Sequence, residues 1–509
     1  MELELKQAAF DCYETSADAA ITQEESAEHI VPDYCPDIAR IIDSTGSVYV
    51  HSRELRDGKA EVTGAVQVTV LYFPDGESGI RTLEFALPFS VQGEGKGDRL
   101  LAEPELESIE TRLVNPRKIS TRCRLLTRLT AGQRVRTQCC EDVEDGEGSL
   151  GIEKKQETYH ASAVTQILEK DFTFSDTFHI SPGKEAAEEL VLKKVRPSIS
   201  ETKLIGSKLI LKGVFTVEFL CRSAGNQYYA ASGELPFSQI LEAEEPAENA
   251  TCQALLQLTG AEFQLDSEGD DGHAISVTLY LHAWASLREE RDLTLLTDLY
   301  STAYDLTYEA APVSFSEFAQ NLLRRQNVRE VLEIGVTAKS LLSLDANCGA
   351  VTVTREREVV TLRTTASLRA LYLDEGGTPL VSERRVEVSA QLELPEECQV
   401  TARACCAEEV QGSLADRGIE VRFPVDFAVE AVSRRKVPAV TSAKLDDEKP
   451  KDLSGQPSVV LRYLDGGESL WDLAKRYSTT GADILAANEL ETEADVPGDR
   501  LLLIPRKRS

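Results

Sequence analysis

Basic residues are scarce for a chain of this size: 55 Lys and Arg stand against 86 Asp and Glu, a net charge of −31 over 509 residues. A field of that sign repels phosphate backbones and anionic lipid, which argues against nucleic acid and membrane surfaces as partners. For most of these charges solubility is the plainer role. No run approaches the ~20 apolar residues needed to span a bilayer. "MELELKQAAFDCYETS" offers no basic flank followed by an apolar core, so no secretory leader is expected and the chain reads as cytosolic. Aromatics are few, at 6%, so cores must be built from Val, Leu, Ile and Ala, which favours strands.

Patterns that carry chemistry are missing too. The six histidines, at 29, 51, 160, 179, 273 and 282, form no His-Glu-x-x-His pair or other close ligand spacing. Eleven cysteines include no Cys-x-x-Cys, and their odd number and irregular spacing predict reduced thiols acting as small apolar filler. Cys139-Cys140 and Cys405-Cys406 are adjacent, so on a strand each pair splits between opposite faces. "GEGKGDR" (93–99) lacks the spacing of a phosphate-binding loop, and "DSEGDDG" (266–272) lacks that of an EF-hand; both read as hairpin loops. No enzyme activity, cofactor or metal is expected.

What is present is repetition. "GAVQVTVLY" from Gly64 returns as "GVFTVEFLC" from Gly213, and the following "PFS" of residues 88–90 returns at 236–238. "HIVPDYCPDIARII" from His29 has a counterpart in "HISPGKEAAEELV" from His179. A weaker third copy, "TTASLRALYLDEGG", sets Tyr372 where Tyr72 stood but has lost both the Gly and the "PFS". Landmarks recurring in order about every 150 residues point to duplication. Apolar and polar residues alternate within each copy, as half-buried strands require, and Gly-rich turns separate the runs.

The expected fold class is therefore mainly β, α+β overall, with tandem β-sandwich-like repeats at 1–150, 151–312 and 313–436. "VPDYCPDIARIID", "PGKEAAEELVLKK" and "FSEFAQNLLRRQNVREVLE" read as short helices or turns leading into the sheets. Residues 437–457, rich in charge, Pro and Ser, read as a mobile linker. A final module at 458–509 reads as βααβ: "SVVLRYL" is a strand, Ser469 and Thr480 each precede an Asp by three residues as helix starts do, and "DRLLLIP" closes the unit.

That tail resembles a LysM module over nearly its whole length, through Tyr463, "GES", "LWDLAKRY", "ILAAN" and "GDRLLLIP". The resemblance implies a shallow groove for N-acetylglucosamine units, formed by Gly467, Glu468, Ser469 and Leu470 on one side and Asn488, Glu489 and Leu490 on the other. Family members usually carry Gly-Asp-Thr where this chain has Gly467-Glu468-Ser469, which weakens the inference to sugar. Ser469 and Asn488 also have plain structural roles as helix caps, and Trp471 as a cover for the small core.

The body, through "VPDYCPDIARII", the Gly-led strand, "PFS" and "VNPRKIS" (114–120), resembles an uncharacterised domain found joined to a C-terminal LysM in endospore-forming bacteria. The combination resembles the SipL-like family of spore-coat morphogenetic proteins. That likeness implies a cytoplasmic mother-cell protein recruited to the forespore surface, whose LysM engages the coat's basement-layer ATPase and other coat proteins. Two alternatives stay open: a LysM that retains peptidoglycan affinity and anchors the chain at cortex or wall, and a wall hydrolase with an unrecognised catalytic unit.

Overall fold

The computed structural model describes residues 1–509 except 78, 145–149, 267–272, 407–409, 417, 453–454, 464–468, 493–500 and 507–509. The described chain is mainly antiparallel β-sheet. A first set of strands comprises Leu5–Ile30 (β1), Ile38–Arg56 (β2), Lys59–Pro74 (β3), Arg81–Glu94 (β4), Arg99–Asn115 (β5) and Lys118–Val143 (β6). A second comprises Ile152–His179 (β7), Ala187–Ile205 (β8), Lys208–Ser223 (β9), Tyr228–Glu242 (β10), Thr251–Asp266 (β11) and Ala274–Ser301 (β12). The third runs Tyr304–Glu333 (β13), Ala338–Cys348 (β14), Thr352–Glu356 (β15), Val359–Asp374 (β16), Pro379–Glu393 (β17), Gln399–Cys405 (β18), Gln411–Ala415 (β19) and Gly418–Pro450 (β20). The tail adds Val459–Tyr463 (β21), helices Leu470–Tyr477 (α1) and Gly481–Ala487 (α2), and Leu501–Pro505 (β22).

Pairing follows one scheme in all three sets. The first and last strands form a long hairpin arm: Leu5 opposes Val143, Ile152 opposes Ser301 and Tyr304 opposes Pro450, at the end where the chain enters and leaves. The fifth strand flanks the last, and the second, third and fourth form a separate short sheet. In the third set the second and fifth positions are each split in two, β14 with β15 and β18 with β19. Bulges interrupt the long strands between Thr15 and Ala17, Leu287 and Arg288, Leu296 and Asp298, and Ser316 and Phe318, letting 26- to 33-residue strands coil around one another.

Each short sheet faces the far half of its own long sheet across an apolar core. Val62, Val66 and Val68 meet Ile119, Cys123 and Leu125 in the first; Phe215, Val217 and Phe219 meet Ile275, Val277 and Leu279 in the second. In the third, Val360, Leu362 and Leu368 meet Val421, Phe423 and Val425. The three sets also pack on one another. Leu71, Leu220 and Leu371 occupy equivalent places, one residue before Tyr72, Cys221 and Tyr372, and share a single buried cluster. At the opposite end Val143, Ile152, Leu299, Val440 and Leu445 form another.

The glycine and phenylalanine landmarks are one device. Gly64 lies directly opposite Phe89, and Gly213 opposite Phe237. On its other side each glycine faces a bulged strand, with the register shifting between Val50 and Ser52 and between Ile199 and Glu201. A Cβ at Gly64 would meet the Tyr49 carbonyl oxygen and lie 2.6 Å from the Phe89 ring; at Gly213 it would meet the Ser198 carbonyl oxygen and lie 2.8 Å from Phe237. The bulge brings backbone inward and the ring covers the glycine, so neither landmark is useful without the other. In the third set the equivalent pair is Thr364 opposite Val388. There the strand breaks between β14 and β15, and the Thr364 hydroxyl donates to the Gly349 carbonyl at 2.9 Å. Glycine is no longer required.

Three expectations need correction. The "FSEFAQNLLRRQNVREVLE" stretch is strand, paired residue by residue with β20, because long-range pairing overrides its helical propensity. The segments from Val31 and Ser181 do enter their sheets through turns, one of the two forms expected of them, and then continue as strand. The 437–457 stretch is not a free linker over its first part: β20 continues to Pro450, with Val437, Ala439, Val440, Ala443 and Leu445 buried. Likewise β13 begins at Tyr304, so residues 304–312 belong with the third set and not the second. "DSEGDDG" falls, beyond Asp266, outside the described residues.

Candidate functional site: the tail and its seat on the body

The tail is built around two short helices that could not persist alone at eight and seven residues. Ser469 caps α1 through a reciprocal box: its Oγ accepts from the Asp472 amide at 3.2 Å, while its own amide donates to the Asp472 carboxylate at 3.0 Å. Thr480 caps α2 by accepting from the Asp483 amide at 3.0 Å. Leu470, Leu473, Ala474 and Ile484 turn inward onto Leu502 and Ile504 of β22, which pairs antiparallel with β21.

Asn488 ties the end of α2 to the closing strand. Its Nδ2 donates to the carbonyls of Ile484 and Leu503, each at 2.7 Å, and its Oδ1 accepts from the Leu503 amide at 2.8 Å. Among the groove candidates, then, Ser469 and Asn488 hold the module together and Leu470 is core at 5% exposure. Leu490 packs against the same cluster as Leu470, and Glu489 stands exposed with a left-handed backbone, φ 55°. Gly467 and Glu468 lie outside the described residues.

The tail does not hang free. Tyr300, near the end of β12, is 4% exposed and belongs to the tail's own core. Its ring meets Trp471 edge-on at 4.9 Å between centroids, and its hydroxyl donates to the Thr479 carbonyl at 2.7 Å. Beside it, Asp298 accepts from Trp471 Nε1 at 2.8 Å and from Lys475 Nζ at 2.5 Å. Trp471 and Lys475 sit four residues apart, on one face of α1. Lys475 also lies 5.1 Å from the Tyr308 ring centre. Lys451, just past β20, bridges the Ser301 carbonyl at 2.8 Å and Ser478 Oγ at 3.1 Å.

Burial alone would push the Asp298 carboxyl up, but hydrogen bonds from Lys475, Trp471 and Tyr308 outweigh it and hold the group below the usual aspartate range. The seat is thus a charged anchor flanking an aromatic wedge. Trp471 packs against the module's core and also reaches the body, its ring meeting Tyr300 and its indole N–H donating to Asp298. Nothing local marks Asp298 or Tyr300, since "LTDLYS" reads as the end of one more alternating strand. A register shift between Leu296 and Asp298 marks a bulge beside this seat.

Elsewhere the described residues bring no three His, Cys, Asp or Glu together as a metal site, and no described helix is long and apolar enough to cross a membrane. All eleven cysteines are free thiols; burial pushes Cys123 up to about 12 and Cys221 up to about 11.

Comparison with known proteins adds a class. A family model described as SipL, SPOCS domain, matches residues 37–114, the stretch from the entry of β2 to the end of β5. The match supports a SipL-like relationship for that segment and points to a sporulation-related protein. No curated protein and no solved structure matches the chain.

Proposed function

We propose that this chain is a non-enzymatic assembly protein of the spore envelope, acting in the mother-cell cytoplasm and recruited to the forespore surface. In this reading the three β-sandwich-like sets form a scaffold, and the βααβ tail is a LysM module that recruits a coat partner, the basement-layer ATPase. The observation that carries it is the SPOCS-domain match at 37–114 on a body that repeats the same strand pairing. The seated tail is compatible with a protein-facing role, because Trp471 and Lys475 make polar contacts with another part of the polypeptide. A βααβ scaffold sets shape while its loops choose the ligand. A fluorescent fusion followed through sporulation tests it: a ring or cap on the forespore is expected, and an even cytoplasmic signal throughout engulfment would defeat it.

The order β21, α1, α2, β22 supports a second reading, in which the tail holds N-acetylglucosamine units of peptidoglycan through Gly467, Glu468, Ser469, Leu470, Asn488, Glu489 and Leu490. Sedimentation of the full chain with purified sacculi decides it. Protein left wholly in the supernatant removes this reading.

A further inference from the structure

Where the long strands of the three sets face one another, β1 and β7 joining the first two sets into a single sheet, they line a partly open cavity of about 780 Å³. That volume is in the range of small-ligand sites. Its charge runs against the rest of the molecule. The lining contains six arginines, Arg99, Arg128, Arg288, Arg291, Arg403 and Arg434, against four carboxylates, in a chain where acids exceed bases by 31.

Two of those carboxylates are committed: Glu430 takes Arg288 at 2.9 Å and Glu103 takes Arg403. These pairs tie the third set to the second and the first. The Arg99 side chain, by contrast, makes no hydrogen bond or ion pair among the described residues, and Arg128 faces a carboxylate oxygen of Glu105 only at 4.0 Å. Five of the eleven buried side-chain polar atoms without a protein partner among the described residues belong to this one lining: Arg99 Nε, Arg128 Nη2, Arg291 Nε, Trp284 Nε1 and Ser162 Oγ. All five can donate a hydrogen bond. Buried donors in native proteins are nearly always satisfied, so such a concentration marks a place built for an acceptor. Trp284 and Phe315 supply flat apolar wall beside them.

We propose that this central cavity binds a small organic anion, a flat apolar body bearing carboxylate or phosphate groups, held by Arg99, Arg128 and Arg291 with Trp284 and Ser162 donating alongside. Guanidinium forks suit both acid types, because their paired N–H groups match two oxygens of a planar carboxylate or of a phosphate. A ligand there would touch all three sets at once, so its binding would be linked to how they are held together.

The test is calorimetric titration of the full chain with phenyl phosphate and, separately, phthalate. Saturable 1:1 binding of at least one is expected, and whichever binds more tightly names the acid group. Arg99→Gln and Arg291→Gln should each raise the dissociation constant at least tenfold, while Arg112→Gln, far outside the cavity and exposed, should leave it within twofold. Should either cavity variant fail to fold, Trp284 emission in a Trp471→Phe protein gives an independent reading, which must change on saturation. Failure of both anions to bind, equal binding by both cavity variants and the Arg112 control, or Trp284 emission indifferent to saturating anion would each overturn the assignment.

Discussion

Asp298→Ala should release the tail from the body without unfolding either. The carboxylate takes two charge-assisted bonds from α1, Trp471 Nε1 at 2.8 Å and Lys475 Nζ at 2.5 Å. A hydrogen bond to a charged group contributes about 1.5–3 kcal/mol. The Lys475 side chain is 35% exposed, so solvent screening brings its share to the lower end or below, whereas Asp298 at 19% is better shielded. Losing both from one acceptor is less than additive and comes to about 2–3 kcal/mol, or roughly 30- to 150-fold in the docking equilibrium. Hydrogen exchange read by mass spectrometry over residues 470–487 of the full chain is the assay. Protection in α1 and α2 should fall by that order, with exchange in β1–β6 unchanged. Tyr300→Phe, which keeps the ring and removes only the bond to Thr479, should cost about 1 kcal/mol. Unaltered protection of both helices in Asp298→Ala would refute the anchor. Since the folded carboxyl titrates below its usual range, its contribution is present above about pH 4 and is lost only as pH falls through the folded value, so docking should be indifferent to pH near neutrality.

Three further outcomes are expected. Gly64→Ala and Gly213→Ala should each destabilise by at least about 2 kcal/mol in denaturant titration, because the added Cβ strikes backbone carbonyl and the Phe89 or Phe237 ring; a loss under 0.5 kcal/mol in both would undo the account of those landmarks. Asp43, at 4% exposure, is pushed up to about 6 by burial, which outweighs the opposing Arg369. A raised carboxyl contributes stability fully present below about pH 4 and lost as pH rises through about 6, up to about 3 kcal/mol. The melting temperature of Asp43→Asn should therefore show a flatter profile over that window than the parent, and parallel profiles would reject it. Ser469→Ala removes one half of the α1 capping box and should cost about 1 kcal/mol of tail stability by exchange; no change would mean that docking alone fixes the helix start.

Much of the fold was legible because half-buried strands alternate visibly, as in "KAEVTGAVQVTVLY", and because Gly64 and Gly213 announce one packing device twice. The helix starts at Ser469 and Thr480 were readable for a local reason: a cap and its Asp lie three residues apart. What escaped is non-local. The β13 sequence "FAQNLLRRQ" has helical propensity, and only a partner about 110 residues on makes it strand, as in Gln320 opposite Ala431. The arm to Pro450 escaped because its inward positions carry mostly small residues, Ala439, Val440 and Ala443, too weak a pattern to stand against the charge around them. The tail's seat was hidden for the same reason, since Tyr300 and Trp471 are 171 positions apart and nothing short-range links them.

The three-set arrangement also bears on how the tail is held. A single set would leave Leu71, or its equivalents Leu220 and Leu371, on an open face, since that cluster exists only when all three sets meet. The bridges Lys193 to Glu84 at 2.6 Å and Arg288 to Glu430 at 2.9 Å are likewise between sets. Removing any one set therefore exposes apolar surface and unpaired charge on the other two, and the body should behave as one cooperative block rather than three beads. A tail anchored to the end of β12 then moves with that block. Its orientation is set by the body and not by chain flexibility, through the bonds that Asp298 accepts from Trp471 and Lys475.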